Sequence, residues 1–80
     1  MNMIQQIETA KKHYKDFHKK EARSVGLCKS MMKRLFKELK GESFIAMPYG
    51  VKRYYDLVGE EVLGVKIIHI HRVRKVWCYD

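Results

Sequence analysis

Apolar residues recur along the first half of this chain at helical spacing. Ile4, Ile7, Tyr14 and Phe17 fall on one face of a helix, with Ala10 between them. Lys11, Lys12, Lys15, Lys19 and Lys20 lie largely elsewhere on its surface. The pattern predicts a first helix over Ile4–Lys20, and Glu21–Ser24 as its continuation or a short second helix. Gly26 then reads as a turn, because glycine takes positive φ without penalty. From Lys29 a second stripe runs through Met31, Met32, Leu35, Phe36 and Leu39, with Lys33, Arg34, Lys37 and Lys40 beside it. Gly41 is placed to cap that helix.

After Gly41 the pattern changes, and β-branched and aromatic residues dominate. Ser43–Met47 predicts a short strand, Pro48-Tyr49-Gly50 a turn, and Val51–Val58 a second strand. Gly59-Glu60 marks another turn. Val62–Val73 predicts the strongest strand, centred on Val65, Ile67, Ile68 and Ile70, and Val76–Tyr79 predicts a last one. The expected class is α+β: two or three N-terminal helices, then an antiparallel β-sheet of two to four strands. Residues 1–80 make a single domain, helical and basic over 1–41 and β-rich over 42–80.

Charge changes this picture more than composition does. The net charge is +8, and residues 11–40 hold 11 Lys/Arg against 3 acids, whereas residues 41–80 hold 6 against 5. Basicity gathered on the helical segment is the electrostatic footprint of a polyanion binder; a solvated lysine-rich surface is the bland alternative. The hydrophobic fraction of 46% is that of a chain that folds. A chain this short buries only about 60% of its unfolded surface, so a homodimer would add stability. Two cysteines, Cys28 and Cys78, make no disulfide framework. The opening MNMIQQIETA lacks the basic start and apolar core of a signal peptide, and no apolar run is long enough to cross a membrane. A cytoplasmic protein with free thiols is expected.

Candidate chemistry centres on Glu21–Leu39, EARSVGLCKSMMKRLFKEL. Ala22 is a small residue that allows close helix approach, and Gly26 follows four residues later. Val25, Leu27, Met32 and Leu35 are packing positions. Lys29, Ser30, Lys33, Arg34 and Lys37 occupy the outer face. This spacing resembles bacterial and phage helix-turn-helix regulators, and the pair of elements around Gly50-Val51-Lys52-Arg53-Tyr54-Tyr55 looks like the wing of a winged helix. The resemblance implies a recognition helix in the DNA major groove, with Lys52 and Arg53 as wing contacts. Lysines would bind phosphates, and Arg34 is suited to guanine because its guanidinium bonds O6 and N7 together. The function expected is that of a small DNA-binding transcriptional regulator with duplex DNA as partner, without cofactor, metal or catalysis.

Other groups suggest other classes. His69 and His71, two apart on a strand, share a face and suit a metal pair, yet further ligands would have to come from distant Cys28, Cys78, His13 or His18. The same histidines with Arg72, Arg74 and Tyr79 could serve metal-independent RNA cleavage, as in a small ribonuclease toxin. Tyr49, Tyr54, Tyr55, Trp77 and Tyr79 could stack on single-stranded bases, or fill a core. Met31 and Met32 read as core filler. Cys28, near a helix start, has the setting that lowers a thiol pKa, with a buried structural thiol as the alternative. A protein-binding modulator of a host or partner protein, working through a mixed basic and aromatic surface, is the third class.

Overall fold

The computed structural model describes residues 2–41 and 45–80. Helix α1 spans Met3–His18. Its start is fixed by a capping box: Gln5 N–H donates to Asn2 Oδ1 at 2.8 Å, and Asn2 N–H donates back to Gln5 Oε1 at 3.1 Å. Lys19 ends it in the left-handed conformation, φ 60°. Strand β1 follows at Ser24–Leu27, then helix α2 at Lys29–Gly41, a 3-10 turn at Tyr54–Leu57, and strands β2 (Glu61–Val62), β3 (Val65–His69) and β4 (Trp77–Tyr79). The class is α+β, with two helices and one four-stranded sheet.

The sheet order is β2-β3-β1-β4. The first strand of the chain therefore lies inside the sheet, parallel to β3 through Val25↔Ile67 and antiparallel to β4 through Val25↔Cys78. Hence the sheet is mixed, because a strand threaded between the two helices returns to β3 by a helical crossover. Val25, Leu27, Val65, Ile67 and Cys78 are buried on the helix side with Ile7, Leu35 and Leu39, while Lys66, Trp77 and Tyr79 are exposed on the other face. The core also takes in Met31, Met32 and Leu57.

Several expected elements take a different form. Ser24–Leu27 is a strand, so Glu21–Ser24 is no helix and Gly26 makes no turn. Gly26 is needed for close approach instead: a Cβ there would collide with the Ile70 side chain and sit 2.9 Å from Tyr79 Cε2. The helix-turn-helix corner is thus absent, although Ala22, Val25, Leu27, Met32 and Leu35 are all buried as that motif requires. Val51–Val58 is not a strand, and no β-wing forms from it. Lys52 and Arg53 N–H both donate to Asp56 Oδ2 at 3.0 Å, which closes the chain into the 3-10 turn. Val62–Val73 is broken near its start and stops at His69: Leu63 (φ 56°) and Gly64 (φ 81°) form a two-residue hairpin turn that pairs Val62 with Val65, and residues 70–73 are not in a strand. Gly41 is the last helical residue rather than a left-handed cap. The expected turn at Pro48-Tyr49-Gly50 forms, with Val51 N–H donating to Pro48 O and Gly50 at φ 88°. Of the Ser43–Met47 strand, Ser43 and Phe44 lie outside the described residues, and Ile45–Met47 are not in a strand.

Candidate nucleic-acid interface

α2 carries its apolar residues on one side and its cations on the other. Met31, Met32, Leu35 and Leu39 are buried, and Lys29, Ser30, Lys33, Arg34 and Lys37 are all exposed. Lys29, Lys33 and Lys37 are four residues apart, so they form a row along the helix, spanning about 12 Å at 1.5 Å per residue. Ser30 and Arg34 form the neighbouring row. The five residues expected from the sequence therefore share one convex face.

The turn at 52–57 lies beside this face. Tyr54–Leu57 packs on α2, and the Lys33 ammonium sits 5.2 Å from the Tyr54 ring centroid. Lys52 and Arg53 are exposed at the start of that turn. The Arg53 guanidinium lies 5.8 Å from the Tyr55 ring centroid and donates through Nη1 to the Tyr55 hydroxyl. The two groups of cations are thus neighbours, as a wing would have made them, though a 3-10 turn holds the second group.

The nearby acids are engaged by backbone. Glu38, the one carboxylate on α2, receives Met3 N–H at 2.8 Å and Ile4 N–H at 3.0 Å. It binds the α1 start, where unpaired N–H groups and the helix dipole favour a negative charge. Asp56 is occupied by the Lys52 and Arg53 amides, and these bonds hold its carboxyl below the usual aspartate pKa. Among the described residues, the ion pairs Lys15–Glu21 and Lys20–Asp80 involve none of Lys29, Lys33, Arg34, Lys37, Lys52 or Arg53. Among the described residues no carboxylate pairs with this face.

The remaining candidates fall elsewhere. His69 and His71 have ring centroids 6.1 Å apart at the end of β3, and among the described residues no group of three metal donors forms. Trp77 and Tyr79 stand on the open sheet face with Lys66, and the Lys75 ammonium lies 5.0 Å from the Trp77 ring centroid. Cys28 is half-buried just before α2, where Met32 N–H donates to its carbonyl. The Ser30 hydroxyl, 3.3 Å from Cys28 Sγ, lowers the pKa of that thiol, whereas burial raises that of Cys78. Sequence reading missed both carboxylate caps, Glu38 and Asp56. Their signal was an acid spaced from a run of cations, but the partner of Glu38 is 34 to 35 positions away in the chain. Among the described residues no helix is long and apolar enough to cross a membrane. No protein-family model, curated protein or solved structure matches the chain.

Proposed function

We propose that this protein binds duplex DNA through the exposed face of α2 and the adjoining turn. The observation that carries the reading is the exposed row Lys29, Lys33, Lys37 with Arg34 beside it, which no carboxylate among the described residues pairs with, while Glu38 turns to the α1 start. A helix about 10–12 Å across matches the roughly 12 Å width of the major groove. In that pose the lysines meet phosphates, which position the helix, and Arg34 reaches a base edge. Lys52 and Arg53, held by the Asp56 turn, meet the backbone alongside. A role in transcriptional regulation fits such a module.

The test is anisotropy of a labelled duplex at roughly 50 and 200 mM salt. Five or six neutralised phosphates give a log–log salt slope of about −5, at about 0.9 per phosphate. Lys33→Glu with Arg34→Glu should abolish binding, while an exposed control, Glu61→Gln, should leave it intact. No binding at the lower salt, or binding indifferent to the double substitution, would sink the reading. Intact RNA added to the same protein tests the ribonuclease alternative, because cleavage lost in His69→Ala would assign the histidine pair to it.

A further inference from the structure

The apolar face of α1 runs past the part that the sheet covers. Met3, Ile7 and Ala10 are buried, Tyr14 is half-buried, and Phe17 is 82% exposed. Tyr14 and Phe17 flank the His18 ring, with centroids at 4.3 and 5.0 Å from it. Opposite them runs the chain at residues 76–78, with Val76 and Cys78 buried toward the helices and the Trp77 side chain exposed on the far face, and a groove of about 660 Å³ lies between the two elements.

A second, separate feature borders the groove. β4 ends the sheet order, so it is hydrogen-bonded to β1 along one edge and open along the other. Trp77, Cys78 and Tyr79 carry no charge and no proline, so only the shortness of this three-residue strand guards its open edge. The groove thus offers backbone pairing on one border and an apolar floor beneath it.

Charge selects the occupant. Among the described residues no carboxylate lines the groove, while Lys75 stands over Trp77 at its rim and His13 and His18 supply further ring nitrogens. A second copy of this chain would bring another +8 to a surface already basic. We propose that the α1–β4 groove binds an extended acidic segment of a partner protein, which adds to β4 as a fifth strand. Alternate apolar side chains of that segment enter between Phe17 and Val76, and the intervening carboxylates face Lys75. This surface is distinct from the basic face of α2, so the two partners do not compete for residues.

The probe is a short synthetic peptide alternating isoleucine and glutamate around one phenylalanine. The chain has a single tryptophan, Trp77, whose emission reports on β4, the strand the peptide would pair with. The peptide should change that emission saturably and shift the amide resonances of β4. Phe17→Ser, at an exposed position, and Lys75→Glu should each weaken binding about tenfold, the equivalent of about 1.4 kcal/mol. Lys33→Glu with Arg34→Glu should leave it unchanged, which separates this site from the DNA-binding face. A peptide with lysine in place of glutamate, or one N-methylated at alternate backbone nitrogens, should fail. Equal binding by either of these overturns the proposal. So does an absence of binding, or a Trp77 change that appears with protein concentration alone and doubles the mass, since the occupant would then be a second copy.

Discussion

Asp56 shows how one carboxylate holds a local shape. Its Oδ2 accepts two backbone N–H groups, and the ionised form is the better acceptor. Its folded pKa is therefore depressed, first by the Lys52 amide and then by that of Arg53. A depressed carboxylate contributes stability above its unfolded pKa and loses that contribution as pH falls through the folded value. The Lys52 and Arg53 amides should accordingly stay protected from exchange across the ordinary aspartate range and lose protection only at more acid pH. Asp56→Asn should remove that acid transition from their exchange profile. Gly26 sets a different constraint, one of space. Gly26→Ala pushes a methyl against Ile70 and the Tyr79 ring. The Ile70 tip can swing away, so the cost falls in the lower part of the roughly 1–3 kcal/mol typical of overpacking. The urea midpoint measures it, and Ile70→Val in the same chain should recover part of the loss.

Among the elements, α1 and α2 were legible from periodicity because each buries one stripe and exposes the rest. Their ends lie close to the predicted ones, and the α2 cations share the face their spacing implies. The strand at Ser24–Leu27 was not legible. Four residues are too few for a period to show, and Ala22 and Gly26 fit a helical corner equally well. What decides is tertiary: β3 and β4 lie on either side and satisfy the backbone of Val25 and its neighbours. Likewise Val51–Val58 has strand composition, but Asp56 bends it and Tyr54–Leu57 packs on α2. Between the helices the decisive link is Glu38 at the start of α1. Glu38→Ala should lower stability by about 1 kcal/mol, the usual cost of a lost helix cap. It should also open the Met3 and Ile4 amides to exchange. The same substitution adds net positive charge to α2, so DNA binding should strengthen even as the fold weakens.

At the scale of the whole molecule, the two proposed surfaces divide the chain by chemistry. A row of exposed cations lies on α2 and the turn beside it, and Tyr14, Phe17 and His18 line the groove between α1 and β4. On these two proposals one small chain would carry a face for a polyanion and a groove for a protein segment. The position of β1 has a further consequence, for the order in which the molecule assembles. During synthesis Ser24–Leu27 emerges long before either of its neighbours, Val65–His69 and Trp77–Tyr79. The two helices can form early, but the centre of the sheet must wait for residues more than forty positions downstream, as the Val25↔Ile67 and Val25↔Cys78 pairs require. Such distant pairings slow folding relative to a helical bundle, toward the range of about milliseconds to seconds. Stopped-flow refolding should therefore show helical signal rising before Trp77 reaches its native emission. Until the last strand arrives, the nascent chain holds a bare apolar strand, and that interval is when it is most exposed to aggregation.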